Sequence, residues 1–378
     1  MKTVLFLMTA AVALAWLLAN ARRKPARRYG SVDAIIPAYN EELCIVGSVR
    51  NLLANPYIAK LIVVNDGSTD RTAAMLDLLA VVHPRIVVIH QANTGKGGAL
   101  MAGVRRSDAK YVFLTDADTL LPPNGDGLGH MIAEMERGAH AVGGIPSSNL
   151  TGAGLLPHIR ATVKMPMIVI KRTFQQLLGG SPFIISGACG LFRTSVLRTV
   201  PFSDRTKVED LDLTWSLVGQ GFKVRQTSRC VVYSQECNSL KSEWLRWRRW
   251  IVGYAVCMRL HNSLLFTRFG LFSILPMFLV VVLGVGGYGV AIAMVSAAGH
   301  AHAIPGMFFP VTWIAIVSLI GLVSAIHHRR WQLVPLAPAA VVYLVLSYAI
   351  WIVHGARGLL TGCEPQRDKP VRYNHVVA

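Results

Sequence analysis

A pair of carboxylates is the first feature of this sequence that could do chemistry. Asp116 and Asp118 flank a single alanine directly after a short apolar run. Oxygen ligands of this kind suit Mg²⁺ or Mn²⁺, and such a cation can bridge two phosphates and neutralise charge on a leaving diphosphate. Aspartates are also common in ordinary turns. The pair therefore indicates a metal and diphosphate site only in combination with its neighbours in the sequence.

Two loops earlier in the chain carry groups that could contact a nucleotide. Asp66 lies in the segment N-D-G-S-T-D (65–70), where the glycine permits a tight turn and a hydroxyl could cap a following helix, whose N-terminus favours anions. The alternative is a simple capped turn. The glycine-rich segment 93–100 contains Lys96 but has Gly98 where an ATP-binding phosphate loop requires Ser or Thr. The sequence thus argues against an ATP site and leaves Lys96 as a cation for a diphosphate or uracil.

Glu209 and Asp210 open a predicted helix later in the chain. A reaction that uses an acceptor hydroxyl as nucleophile needs a base within hydrogen-bond reach of that hydroxyl. A carboxylate at the start of a helix beside a cleft is suited to this task. The alternative is a pair of first-turn acids that complement the helix dipole.

An α/β domain over residues 31–240 is predicted to position these groups. Strands are predicted at 32–37, 61–64, 86–89 and 111–114, and helices near 41–54, 70–82 and 97–107. Alternating strands and helices indicate a mostly parallel sheet with right-handed crossovers. Ligands bind beyond the carboxyl ends of such strands, which is where the polar clusters around Glu41, Asp66 and Asp116 fall.

Long uncharged apolar segments lie on either side of this domain. Membrane spans are predicted at 3–21, 270–297, 308–326 and 333–355, because about 20 apolar residues cross a bilayer core. The basic cluster at 22–28 places the following domain in the cytoplasm by the positive-inside rule, with a cleaved leader as the alternative. By parity the basic C-terminal tail lies outside, so either one C-terminal segment is re-entrant or the tail breaks the rule.

The complete organisation follows from these segments. We expect an anchor and basic linker at 1–30, the α/β catalytic domain at 31–240, an amphipathic interface helix at 241–265, three spans at 266–356 and a tail at 357–378. A second amphipathic stretch covers 159–178, and ordinary surface helices are the alternative for both.

The charge and the cysteines narrow the class of protein. The net charge of +18 suits attraction to anionic lipid headgroups and binding of a diphosphate donor, so a nucleic-acid partner is not predicted. The six cysteines show no C-x-x-C spacing, so neither a disulfide framework nor a zinc site is predicted.

Taken together, the motifs resemble family-2 glycosyltransferases with the GT-A fold. The segments that carry the resemblance follow one another in the family's order and are Pro37–Glu41, the Asp66 loop, Asp116–Asp118, Ser186–Gly190, Glu209–Asp210 and Arg246–Trp250. The likeness is greatest to membrane-integrated polysaccharide synthases, namely nodulation chitin-oligosaccharide synthase, poly-N-acetylglucosamine synthase, hyaluronan synthase and cellulose synthase. It implies inverting transfer from a UDP-sugar, with Mg²⁺ or Mn²⁺, on the cytoplasmic face of the plasma membrane.

The resemblance also implies roles for individual residues, with Asp210 as the base. The nucleotide would be bound by Tyr39, Glu41, Asp66, Lys96 and Asp116. The metal would be held by Asp116 and Asp118. The acceptor and the diphosphate would contact Ser186, Gly187, Cys189, Glu209, Arg246, Arg249 and Trp250.

The sequence departs from the synthase pattern at Arg246, where the family's Q-x-x-R-W motif has Gln. R-x-x-R-W resembles ceramide glucosyltransferases and their hopanoid-linked relatives. Two acceptors therefore stay open, a growing saccharide that receives GlcNAc or a similar sugar, and a ceramide, hopanoid or polyprenyl phosphate that receives one sugar. A transporter or scaffold is a third alternative, although four spans are few for the repeated transporter folds. Helical spacing places Arg246, Arg249 and Trp250 on one face of the helix. We expect that face to line the site and Trp247 to point away from it.

Overall fold

The computed structural model describes residues 24–122, 125–279, 293 and 303–362. The predicted span at 3–21 and most of the span at 270–297 lie outside these residues. So does the tail from residue 363 onward.

The sheet and the helices between its strands occupy residues 32–234. The strands are β1 (Val32–Ala38), β2 (Ile58–Asp66), β3 (Ile86–Gln91), β4 (Tyr111–Leu114), β5 (Thr119–Leu120), β6 (Ala141–Ser148), β7 (Gly190–Arg193) and β8 (Val224–Ser234). The helices are α1 (Ile45–Leu53), α2 (Thr72–Val82), α3 (Gly95–Arg106), α4 (Gly127–Glu136), α5 (Leu155–Gly179), α6 (Thr194–Thr199), α7 (Glu209–Gly219), α8 (Leu240–Leu260), α9 (Ala303–His328) and α10 (Ala337–Thr361). Short 3₁₀ turns cover Asn262–Leu264 and Trp331–Leu336, and a π-helical turn covers Gly270–Ile274.

All eight strands form one mixed sheet in the order β3-β2-β1-β4-β7-β6-β8-β5. Strands β1 to β4 pair in parallel, as the sequence predicts, and β6 pairs in parallel with β8. Strand β7 is antiparallel to β4 and β6, and β5 is antiparallel to β8. The mostly parallel α/β architecture is therefore confirmed.

Both faces of β1, of β4 and of most of β2 are buried, which explains their continuous apolar sequences. Successive side chains of a strand point to opposite faces. Ile36 packs on one face with residues of α1, α2 and α4, whereas Ile35 packs on the other with residues of α3, α6 and α7. The packing of helices on both faces positions the loops at the carboxyl ends of these strands.

The C-terminal helices pack against the two amphipathic helices α5 and α8. Val163 of α5 packs with Val317 of α9 and Ala340 of α10, and Ile251 of α8 packs with Trp351 of α10. Within the described residues, one helical segment, Trp331–Thr361, has the length and apolar composition needed to cross a bilayer. It contains the predicted span at 333–355, and α9 contains the predicted span at 308–326.

Candidate active site

A cavity of about 1000 Å³ opens at the carboxyl ends of the parallel strands. With one exception, Cys189, every residue that the sequence analysis assigns to the site lines this cavity: Tyr39, Glu41, Asp66, Lys96, Asp116, Asp118, Ser186, Gly187, Glu209, Asp210, Arg246, Arg249 and Trp250. The predicted loops therefore meet in space, although they are separated by up to about 200 residues in the chain.

Cys189 is the exception, and the expectation that it contacts the acceptor is wrong for this structure. It ends a turn in which its N–H donates to the carbonyl of Ser186 at 2.9 Å. Its side chain is fully buried behind the cavity wall, where Sγ lies 3.7 Å from the Sγ of Cys230. The turn exposes Ser186 to Ala188 toward the cavity and directs the thiol into the sheet.

Asp66 is fixed by the loop that precedes α3. Its Oδ1 accepts hydrogen bonds from Gln91 Nε2 at 2.7 Å, from the Thr94 N–H at 2.8 Å and from Thr94 Oγ1 at 3.2 Å. Gly67 makes the close approach of the two loops possible, because it has a φ of +74° and an added Cβ would lie 2.9 Å from the nitrogen of Asn93. All these bonds go to one oxygen, which leaves Oδ2 for a ligand in the cavity.

Lys96 connects the donor motifs to the acceptor motif. Its Nζ lies 2.6 Å from Asp116 Oδ1 and 3.6 Å from Glu209 Oε1. A Cβ added to Gly187 would lie 2.7 Å from the same Nζ and 3.6 Å from Asp210 Oδ2. A side chain at position 187 would therefore displace Lys96, and only glycine leaves this arrangement undisturbed.

The Asp116 and Asp118 carboxylates fit a cation that a bound diphosphate completes. Among the residues that the structure describes, no three His, Cys, Asp or Glu side chains come together as a preformed metal cage. Mg²⁺ is usually bound through one or two carboxylates together with substrate phosphates. Asp118 is 5% exposed, and the side chain of Asp116 is 31% exposed toward the cavity. Two carboxylates at one cavity edge match that mode of binding.

Asp210 combines a fixed geometry with a perturbed acidity. Its Oδ2 accepts the Gly187 N–H at 3.0 Å and its Oδ1 accepts the Leu211 N–H at 2.9 Å. Burial raises the pKa of Asp210, and the neighbouring Glu209 raises it further, while Lys96, the Gly187 N–H and Arg249 act in the opposite direction. A carboxylate whose pKa is raised is a stronger base, and such groups cluster at active sites.

Asp212, two residues after Asp210, anchors the same helix and has no assigned role in the sequence analysis. It is 2% exposed and accepts hydrogen bonds from His261 Nε2 at 2.6 Å, Arg205 Nη2 at 2.7 Å and Ser203 Oγ at 2.5 Å. Burial acts to raise the pKa of Asp212, but these hydrogen bonds outweigh it and hold the pKa well below its usual range. The contacts tie the loop before α7 and the end of α8 to the helix that carries Asp210.

A buried ionic cluster supports the tryptophan of the R-x-x-R-W motif. Arg160 Nη1 lies 2.9 Å from Glu236 Oε2 and 3.1 Å from Glu243 Oε1, and Arg246 Nη1 lies 2.9 Å from Glu236 Oε2. The guanidinium carbons of Arg160 and Arg246 lie 5.5 and 5.3 Å from the ring centroid of Trp250. Such distances are typical of cation–π contacts. Arg160, Glu236 and Glu243 are neighbours of the candidate site that motif reasoning misses, because they lie outside the family's short motifs.

Trp247 does not face outward, so that expectation is wrong. It lines the cavity, and its Nε1 donates to Glu243 Oε1 at 2.8 Å and to the hydroxyl of Tyr343 at 2.9 Å. Helix α8 is enclosed by α5 and α10, so it buries more than the one face that helical spacing assigns to it. Trp244 is the outward-facing tryptophan, at 46% exposed.

Comparison with known proteins assigns the family to which this fold belongs. Residues 33–200 match the model of glycosyl transferase family 2, and a glycosyltransferase of Escherichia coli matches the whole chain. The chain belongs to glycosyl transferase family 2 and is an enzyme that transfers sugars. The E. coli relative, from strain K12, is the uncharacterized glycosyltransferase YaiP, which is 60% identical over 378 residues, 100% of this chain and 95% of the relative.

More distant relatives extend the comparison. The poly-β-1,6-N-acetyl-D-glucosamine synthase of Staphylococcus aureus is 29% identical over 228 residues, which are 59% of this chain and 54% of the synthase. The mannosyltransferase PcManGT of Pyrobaculum calidifontis, solved in complex with GDP-Man and Mn²⁺, superposes with a TM-score of 0.57 at 17% identity, over 96% of this chain and 98% of that structure. The second likeness concerns the fold alone, and it supports the predicted GT-A-like α/β domain.

Proposed function

We propose that the enzyme transfers a sugar, with inversion, from a nucleoside diphosphate sugar to an acceptor hydroxyl, with Asp210 as the base. The observation that carries this proposal is the contact between the donor and acceptor motifs. Lys96 lies against Asp116, and the Gly187 N–H that borders Lys96 is hydrogen-bonded to Asp210. We expect a sugar whose diphosphate lies on Lys96, and on a cation held by Asp116, to have its reacting carbon close to Asp210.

The donor half of the cavity is proposed to hold UDP and a divalent cation. Asp66 would bind the nucleoside through its free Oδ2, with Tyr39 and Glu41 beside the base. Asp116 and Asp118 would hold Mg²⁺ or Mn²⁺, which neutralises charge on the diphosphate as it leaves. The PcManGT complex with GDP-Man and Mn²⁺ is consistent with a nucleotide-sugar donor and such an ion.

The reaction needs one proton transfer and one bond exchange. The acceptor oxygen would attack the anomeric carbon from the face opposite the diphosphate, while its proton passes to Asp210. The bond between that carbon and the diphosphate oxygen breaks, and the nucleoside diphosphate leaves. Lys96 and Arg249 lie where they can offset the negative charge that develops on the leaving group.

The preferred acceptor is a growing saccharide, with UDP-GlcNAc as the preferred donor. The likeness to the S. aureus synthase supports this choice, and the side chain of Trp250 offers a face on which a sugar ring could stack. A lipid acceptor is the second candidate. It is favoured by the apolar part of the cavity, where Met167 of α5 packs in one cluster with Leu344 of α10.

We further propose that the enzyme is an integral protein of the plasma membrane with its catalytic domain in the cytoplasm, where UDP-sugars are made. The apolar segment Trp331–Thr361 and the basic cluster at 22–28 support this location.

The test is a donor and product screen with the purified enzyme. UDP-GlcNAc, UDP-glucose and GDP-mannose are supplied in turn with Mn²⁺, and nucleotide release and product mass are measured. We expect the UDP-sugars to be used, Asp66→Asn to weaken UDP binding, and Asp210→Asn to retain it. Mass spectrometry of the product separates a saccharide series from a lipid that carries one sugar. Absence of nucleotide release with all three donors would refute the proposed function.

A further inference from the structure

His90, near the end of strand β3, lies between two side chains that belong to different elements. Its Nε2 lies 2.9 Å from Asp77 Oδ1 on α2, and its Nδ1 lies 2.9 Å from Asn65 Nδ2 at the end of β2. Asn65 is 5% exposed and directly precedes Asp66, which lines the cavity. His90 therefore connects an exposed helix to the strand end that carries a nucleotide motif.

The protonation state of His90 follows from a backbone contact. Asn65 Oδ1 accepts the Ser68 N–H at 3.2 Å, and this bond fixes the orientation of the amide, because an N–H cannot bond to an NH₂ group. Asn65 Nδ2 must then be the donor to His90, so Nδ1 of the ring accepts and carries no proton. The single proton of the neutral ring is on Nε2, from which it is donated to Asp77.

The same network holds the two loops that border the nucleotide half of the cavity. The Asn40 N–H donates to Ser68 Oγ at 3.0 Å, and the Thr69 N–H donates to Asn40 Oδ1 at 2.7 Å. Asn40 has a φ of +52°, a left-handed conformation that local hydrogen bonds of this kind stabilise. Its neighbours Tyr39 and Glu41 line the cavity. The positions of these two side chains therefore depend on the loop that contains Ser68.

A second proton on His90 would conflict with this arrangement. Both ring nitrogens would then be donors, and Nδ1 would face another donor, Asn65 Nδ2, at 2.9 Å. Asn65 would have to turn its oxygen toward His90 and would lose its bond with the Ser68 N–H. Histidine is the side chain that ordinarily changes charge between about pH 5 and 8, so the conflict arises close to neutral pH.

Among the described residues, one charged group faces His90 from β2 and α2, the elements that pack against β3. Asp77 is the only charged residue of α2, and its carboxylate favours the protonated ring. Its side chain is 63% exposed, so water and salt weaken this effect. On β2, Asp66 points to the face opposite to Asn65, and Lys60 lies at the other end of the strand. The buried contact with Asn65 therefore outweighs the exposed ion pair.

We propose that His90 is a positioning residue for donor binding, which in its neutral form holds Asn65 and, through it, both nucleotide loops. Protonation of His90 releases these loops. The enzyme thus binds its donor more weakly as pH falls, without any change in the residues that contact the nucleotide. The inference rests on the proposed function, because it takes these loops to bind a nucleoside diphosphate sugar.

Three variants of the full-length protein separate the hydrogen bond from the charge. His90→Asn places an amide oxygen where Nδ1 accepts, and this amide does not titrate. His90→Leu removes the acceptor and leaves Asn65 Nδ2 without its partner. His83→Asn is the matched control, because His83 lies in the connection between α2 and β3 and, in the described part of the chain, its side chain bonds to neither loop.

UDP binding is measured at about pH 8 and about pH 5.5, together with hydrogen exchange of the peptide 65–70 in ligand-free protein. We expect His90→Leu to weaken UDP binding about 5- to 10-fold at both pH values, as when one ordering hydrogen bond is lost, and to speed exchange at Ser68 and Thr69. Between the two pH values, wild type should lose at least about 3-fold more affinity than His90→Asn. Titration of the UDP phosphates is common to all proteins and cancels in this comparison. His83→Asn should behave as wild type does.

The two measurements separate this proposal from the proposed function. Equal exchange of the peptide 65–70 in wild type and His90→Leu would overturn the proposal, whether or not UDP binds. An equal pH dependence of UDP binding in wild type and His90→Asn would also overturn it, and this comparison decides if His90→Leu does not fold. Faster exchange in His90→Leu, with no binding of UDP by wild type, would confirm that His90 positions the loops and would refute the proposed function.

Discussion

Replacing Asp210 with Asn should separate activity from stability. Loss of a general base typically slows a reaction by about 100- to 10,000-fold, which corresponds to about 2.7 to 5.4 kcal/mol of activation free energy. The amide keeps the size of the side chain, and its oxygen can still accept the Gly187 N–H that Asp210 accepts at 3.0 Å. We therefore expect kcat to fall within this range while UDP binding remains.

Asp210→Asn should not destabilise the protein. The direction of its effect on the free energy of unfolding follows from the raised pKa of Asp210. Burial and Glu209 make the folded protein bind the Asp210 proton more tightly than the unfolded chain does. Wild-type stability therefore falls as pH rises from the unfolded pKa to the folded one, and the full penalty is present above the folded pKa. Asn removes this penalty but also loses one of the two accepted hydrogen bonds, which contributes about 1 kcal/mol. We expect an unfolding midpoint at pH 8 equal to or above that of wild type.

The assays are nucleotide release under saturating donor and thermal unfolding at several pH values. Asp108→Asn is the matched control, since its side chain is 84% exposed and remote from the cavity, and it should leave both measurements unchanged. Turnover within about threefold of wild type would exclude Asp210 as the base. A clear drop in the unfolding midpoint would instead show that the ionised carboxylate stabilises the fold, contrary to the direction expected from its raised pKa.

Four further predictions follow from the site. Excess EDTA should abolish transfer, Mg²⁺ or Mn²⁺ should restore it, and Asp118→Ala should stay inactive with either ion; full activity in EDTA would exclude a metal role. Lys96→Met should move the acidic limb of kcat/KM to higher pH, because the ammonium lowers the pKa of the base, and an unmoved limb would contradict that. Trp250→Ala should shorten or reduce the product far more than Trp244→Ala, whose ring is exposed, whereas equal effects would make both simple membrane anchors. A cysteine at position 108 should resist membrane-impermeant maleimide in intact cells and react after lysis, with little background because the described cysteines are buried; labelling in intact cells would place the domain outside.

Local sequence was sufficient to predict the parallel half of the sheet. Strands β1 to β4 are short apolar runs between helical segments, and each falls where the pattern predicts. Their polar ends were predicted to meet because the carboxyl ends of parallel strands share one edge. Strands β6 and β7 were not predicted, because β6 contains two glycines, a proline and two serines, which have low strand propensity. Pairing with neighbouring strands, and not intrinsic preference, makes this segment a strand.

In the candidate site, too, some features were predictable from local sequence and others depended on tertiary packing. The sequence by itself, through motifs that resemble those of the family, predicted which side chains would bind a nucleotide diphosphate and which carboxylate would act as base, because such motifs are short and local. Only the tertiary structure decided that Cys189 turns away from the cavity, because the turn after Ser186 directs its thiol into the sheet. It also decided that Trp247 turns toward the cavity, because neighbouring helices cover more of α8 than the one face that helical spacing indicates. It also decided that Glu236 and Glu243 lie against Arg160, which is more than 70 residues away from both in the chain. Charges are compensated through space, and the distance between two residues in the chain does not reveal the distance between their side chains.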